Sequence, residues 1–123
     1  MTNRMLIVDD ALIMRKRIKD LAERAGWIIV GEAGNGEEAL ALHAREKPDL
    51  TTLDIVMPEM DGVTALKRIM EADPSARVVM ISAVDQREKL SECIEAGAID
   101  FIVKPFDAQR LASLFDKYLV TSK

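Results

Sequence analysis

Four places in the chain put a chemically able side chain directly after a short apolar run. Asp9 and Asp10 follow Met5-Leu6-Ile7-Val8, Asp54 follows Leu50 to Leu53, Ser82 follows Val78 to Ile81, and Lys104 follows Ile99 to Val103. The successive intervals, Asp10 to Asp54, Asp54 to Ser82 and Ser82 to Lys104, are 44, 28 and 22 residues. Close carboxylates repel one another and raise each other's pKa. A hard divalent cation relieves that repulsion, and oxygen ligands with no His or Cys nearby favour Mg²⁺ or Mn²⁺ over zinc. A carboxylate can also attack phosphorus to give an aspartyl phosphate. The moving oxygens then need charge stabilisation, which a metal, a lysine and a hydroxyl donor supply. Each residue alone has a plainer reading. Paired aspartates after a strand are often helix N-caps, Asp54 could be a turn residue, Ser82 an ordinary hydroxyl, and Lys104-Pro105 a common strand exit. As a set, all at strand ends, they read as a phosphoryl-accepting aspartate site.

That reading requires elements that bring the strand ends together. Residues 12–25 have helical spacing through Met14, Ile18, Leu21, Ala22 and Ala25, and Gly26 stops the helix. Trp27 to Val30 is a second strand, the one strand with no comparable group at its end. Asn35 with Glu38 three residues on forms a capping-box-like start to a helix reaching about Glu46, broken by Pro48-Asp49. Asp61-Gly62 opens a helix with Val63, Leu66, Ile69 and Met70 on one side, ended by Asp73-Pro74. Asp85, with Glu88 three residues on, is expected to cap a helix bearing Leu90 and Ile94 and ending at Gly97. Asp107 is expected to cap a last helix carrying Leu111, Leu114, Phe115 and Tyr118. Five strands alternating with five helices predict an α/β fold with a doubly wound parallel sheet. Strands apolar at successive positions suit a sheet covered on both faces. Right-handed crossovers place all five strand C-ends on one edge, where ligands of such sheets bind.

Composition narrows the function classes. The 123 residues fit one domain, expected to span 1–123. Seventeen basic and 21 acidic residues give a net charge of −4, which disfavours non-specific nucleic-acid binding. A single cysteine, Cys93, excludes an internal disulfide and a cysteine metal cage. No apolar run reaches the roughly 20 residues of a membrane span, and the N-terminus lacks a signal-peptide core. The expectation is a cytoplasmic protein with no direct nucleic-acid or membrane partner.

Asp9-Asp10, Asp54 followed by Met57-Pro58 and Met60-Asp61-Gly62, then Ser82-Ala83 and Lys104-Pro105, together resemble the response-regulator receiver domain of two-component signalling. The resemblance covers essentially the whole chain. The compact length and the run Val103-Lys104-Pro105-Phe106 are most similar to the stand-alone, chemotaxis-type branch. It implies a flavodoxin-like sheet of order 2-1-3-4-5. It further implies that Asp54 accepts a phosphoryl group from a histidine kinase, a phosphotransfer protein or a small acyl phosphate. Asp9, Asp10, Asp54 and the backbone oxygen of Val56 would hold Mg²⁺, with Mn²⁺ an alternative. Lys104 would pair with Asp54 and then with a phosphoryl oxygen, and Ser82 would move to another. Phe101 would be the switch aromatic, turning inward as Ser82 shifts, and the Lys104-Pro105 bond would be cis. Residues 86–120 would bind a downstream protein. A monomer is expected, with phosphorylation-dependent dimerisation the alternative.

One departure bears on lifetime. Relatives of the chemotaxis type carry polar side chains two residues after the acceptor and two after the Ser/Thr, and here both are valine, Val56 and Val84. Slow self-dephosphorylation is expected. Three other readings compete: a receiver fragment of a longer regulator or hybrid kinase, an aspartyl-phosphate phosphohydrolase, and a degenerate adaptor. The hydrolase commonly has a second acid where Val56 stands, and the adaptor should have lost a site residue. Elsewhere the plain readings prevail. His43 is expected to be solvated, Cys93 to be a packing residue, and the seven methionines to be core filler. Phe101 could also be simple core packing. Arg15, Lys16, Arg17 and Lys19 read as a solvated face, the alternative being a kinase-docking surface.

Overall fold

A computed structural model describes residues 2–83 and 85–120. Its elements run β1 Arg4–Val8, α1 Leu12–Arg24, β2 Ile28–Ala33, α2 Gly36–Glu46, β3 Leu50–Asp54, α3 Gly62–Ala72, β4 Val78–Ala83, α4 Arg87–Ala96, β5 Asp100–Lys104 and α5 Ala108–Lys117. All pairings are parallel and the order is β2-β1-β3-β4-β5. The reversal of strand order falls between β1 and β3, which is where open α/β sheets form a crevice at the strand C-ends.

Strand alternation explains the two cores. Leu6 and Val8 of β1, Leu53 of β3, and Val78 and Met80 of β4 face α2, α3 and α4, where they meet Ala39, Leu66, Ile69 and Cys93. Met5, Ile7, Leu50, Val79, Ile81 and Ile102 face α1 and α5, where they meet Ile18, Leu21, Leu111 and Phe115. Burial on both faces is why these strands read as unbroken apolar runs. Among the described residues, no helix is long and apolar enough to cross a membrane.

Local signals place most helix starts. Asn35 accepts a hydrogen bond from Glu38 N at 2.9 Å, and the Glu38 carboxylate accepts from Gly34 N, so the two ends of the turn hold each other. Asp61 and Asp107 accept from Thr64 N and Arg110 N at 2.9 and 2.7 Å. The start of α4 is different. Its N-cap is Gln86, not Asp85, and no side chain caps it. The Gln86 side chain instead accepts from Ala83 N at 3.0 Å, tying the helix start back to the end of β4.

Four strands run further than the apolar pattern suggests. β2 continues to Ala33, while Trp27 precedes it and is buried, its indole N–H donating to the Phe115 carbonyl at 2.9 Å. β3 and β4 include Asp54 and Ser82 because parallel pairing continues through them: Asp54 lies opposite Ile81, and Ser82 opposite Val103. β5 likewise includes Lys104, opposite Ala83.

Candidate functional site

The crevice collects the chemically able residues on neighbouring strands. Asp9 follows β1 and is fully buried. Its backbone N–H donates to Ala33 at the end of β2 (3.0 Å), and its Oδ1 accepts from Ala11 N (2.9 Å). Asp54 ends β3 and is 5% exposed. Its Oδ1 accepts weakly from Val56 N (3.4 Å). Asp10 is exposed at the lip. One carboxylate oxygen from each of Asp9, Asp10 and Asp54 lies within 4.8 Å of the others.

Lys104 reaches this cluster from the end of β5. Its ammonium donates to Asp54 Oδ2 at 3.2 Å and to Asp9 Oδ2 at 3.3 Å. Burial pushes the Asp54 carboxyl above its ordinary pKa; Lys104 opposes the shift and Asp9 adds to it. Burial also works against the Lys104 ammonium, but Asp54 and Asp9 outweigh it and hold its pKa above the usual lysine value. Three acids against one ammonium leave a negative cluster offering only oxygen donors. A hard divalent cation such as Mg²⁺ fits that set.

Ser82, one strand away, is 1% exposed and its hydroxyl has no partner among the described residues. A buried hydroxyl without a hydrogen bond is costly, so a group arriving at the rim with acceptor oxygens would satisfy it. The Lys104-Pro105 bond is cis. Val56 is half exposed on the loop after Asp54. Phe101 is 38% exposed on β5 and shares a surface depression with Leu90 and Ile94 of α4, so it is not core packing in this state. Val84 lies outside the described residues.

Three features needed the structure. His43 is buried rather than solvated, because α2 packs on both the sheet and α3; burial lowers its pKa while Asp73 opposes the shift. The basic run on α1 is only partly a solvated face. Arg17 stacks on the Phe106 ring (5.0 Å) and donates to the Phe106 carbonyl, while Arg15 is engaged beside Asp9. Gly62 touches the end of β3 so closely that a Cβ there would stand 2.1 Å from the Asp54 carbonyl oxygen. Its N–H donates to the Ile55 carbonyl at 2.7 Å. The neighbouring Asp61-Gly62 pair was the sequence signal for that approach. Cys93 is a buried packing residue, as expected.

Comparison with known proteins agrees with this geometry. The family model "Response regulator receiver domain" matches residues 5–116. The chain is 50% identical over 119 residues to the chemotaxis protein CheY of Bacillus subtilis, covering 97% of this chain and 99% of that protein. It is 48% identical over 117 residues to the chemotaxis protein CheY of Thermotoga maritima, covering 95% and 98%. Among solved structures, the CheX–CheY–BeF3–Mg complex from Borrelia burgdorferi superposes with a TM-score of 0.83 at 42% identity, covering 91% of this chain and 88% of the matched one.

Proposed function

Because the chain belongs to the response regulator receiver domain family, we propose that it is a cytoplasmic, phosphorylation-driven switch in a chemotaxis-type pathway, with Asp54 as phosphoacceptor. One observation carries this reading: the buried Asp54 shares its cluster with two further carboxylates and takes the Lys104 ammonium on Oδ2.

The residues divide the work as follows. Asp9, Asp10, Asp54 and the Val56 carbonyl would hold Mg²⁺, which when bound neutralises charge on the cluster and on incoming phosphoryl oxygens. An Asp54 oxygen attacks phosphorus of a phosphohistidine or small acyl phosphate. The new O–P bond makes a mixed anhydride, and the bond to the leaving group breaks with its electron pair departing on that group. Lys104 passes from Asp54 to a phosphoryl oxygen, and its single fixed charge stabilises the charge that develops there. Phosphorylation replaces one negative charge with roughly two and adds acceptors. The orphaned Ser82 hydroxyl turns to one of them, and the space it leaves lets Phe101 move inward from its half-exposed place. The surface of residues 86–120, which presents Ile94, Ile99 and Phe101, then changes for a downstream protein.

A histidine kinase or phosphotransfer protein supplies the phosphoryl group, and the product is a modified protein rather than a released one. With Val56 and Val84 in place of polar side chains, water is poorly placed for hydrolysis and the aspartyl phosphate is long-lived. Val56→Asn with Val84→Glu is expected to shorten the half-life; an unchanged half-life would remove that feature. The switch itself is tested by intact mass after incubation with a small acyl phosphate and Mg²⁺. Wild type should gain one phosphoryl group and Asp54→Asn none. Turnover of a phosphate ester in excess over protein would favour a hydrolase instead.

A further inference from the structure

The Asp9–Asp10 loop is steered by a side chain the motif does not contain. Arg15, one turn into α1, donates from one guanidinium nitrogen to the backbone carbonyl of Asp9 at 2.6 Å. Its Nε donates to the Glu32 carboxylate at 3.2 Å, and Lys19 approaches the same carboxylate at 3.9 Å. Glu32 stands near the end of β2, the edge strand that pairs with β1. The Asp9 carbonyl belongs to the peptide joining Asp9 to Asp10. A hydrogen bond to it fixes the plane of that peptide, and with it the direction in which the Asp10 side chain leaves the backbone. Asp9 has its own restraints on N–H, Oδ1 and Oδ2. The Asp10 carboxylate has no hydrogen bond among the described residues.

We infer that Arg15, locked by Glu32, is the positioning residue that aims Asp10 into the cation site. The role rests on reading Asp9, Asp10 and Asp54 as a cation site. Mg²⁺ demands near-ideal octahedral geometry, so a ligand free to swing is penalised. Partners that orient ligands from behind commonly carry ten- to a hundredfold in metal affinity. The sign of the effect separates positioning from simple charge. Arg15 is a cation beside a cation site. If it acted only through its charge, removing it would tighten binding.

The test is Mn²⁺ titration of the unphosphorylated protein, followed by electron paramagnetic resonance of the free ion, in about 0.15 M salt to screen remote charge. Arg15→Gln should bind Mn²⁺ roughly tenfold more weakly than wild type. Glu32→Gln, which keeps the arginine, should also weaken binding, and Arg15→Met, which removes the same positive charge and keeps the length of the side chain, carries the sign test if Arg15→Gln does not fold. The double variant should be no weaker than Arg15→Gln, because the two act as one unit. Equal or tighter binding by Arg15→Gln, unchanged binding by Glu32→Gln, or losses that multiply in the double variant would overturn the positioning role alone. Absence of Mn²⁺ binding by wild type, or undiminished binding by Asp10→Asn and Asp54→Asn, would instead remove the cation-site reading beneath it.

Discussion

Among the described residues, three buried hydroxyls have no partner, those of Thr51, Thr52 and Ser82, and their positions give them different meanings. Thr52 lies mid-strand between Ile7 and Val79, where no ligand arrives. Thr52→Val should therefore stabilise the fold by about 1 kcal/mol, because it removes an unsatisfied polar group at constant shape. Chemical denaturation measures this, and a loss of stability would show that the hydroxyl has a partner in solution. Ser82 lies at the rim. Ser82→Ala should leave the unphosphorylated fold no less stable yet weaken the phosphorylated state's hold on its partner. Asp54 carries the same tension in charged form. Its folded pKa is raised, so its contribution to stability is present below the unfolded carboxylate value and lost as pH rises through the folded value. Asp54→Asn should accordingly unfold at a higher temperature than wild type at neutral pH with a chelator present. A midpoint equal to or below wild type would contradict that account of the site.

At the scale of elements, the local signals were the legible ones. The capping residues Asn35, Asp61 and Asp107 act within one turn, so sequence spacing was enough to find them. Asp85 had the same spacing but lost the cap to Gln86, whose longer side chain reaches back to Ala83 across the loop. His43 was misread because it was judged by its polar neighbours. It sits four residues after Ala39, on the stripe that α2 turns inward. Neutral imidazole is favoured there, so its stabilising contribution is present above the ordinary value of about 6.5 and is lost as pH falls toward the lower folded value. Wild type should lose more stability than His43→Gln across that acidic interval, with parallel curves the contrary result. Where α3 begins, the close approach of Gly62 to Asp54 predicts that Gly62→Ala costs about 1–3 kcal/mol and slows phosphoryl acceptance by displacing the acceptor strand. Denaturation and phosphorylation rates measured on the same variant test both halves.

Across the whole molecule, the separations of 44, 28 and 22 residues collapse onto one rim because every crossover returns the chain in parallel. Alternation of strands and helices made the rim legible. The order of the strands was not legible from the residues and came through family resemblance, since apolar runs do not encode which neighbour they pair with. The Arg15–Glu32 tie escaped the sequence for a related reason: it joins α1 to the edge strand, and only the register of β2 on β1 brings the two together. A cavity of about 860 Å³, lined in part by His43 and Asp73, lies away from the acidic cluster, so pocket size does not mark the chemistry here. The role of Asp54 is tested most directly by where the phosphoryl group goes. Wild type treated with a small acyl phosphate and Mg²⁺ can be reduced with borohydride, which converts an aspartyl phosphate to homoserine, and then mapped by peptide mass. With Asp54 as phosphoacceptor, homoserine is expected at position 54 alone and is lost when the cation is chelated. Homoserine at Asp9 or Asp10, or undiminished labelling in Asp54→Asn, would contradict that role.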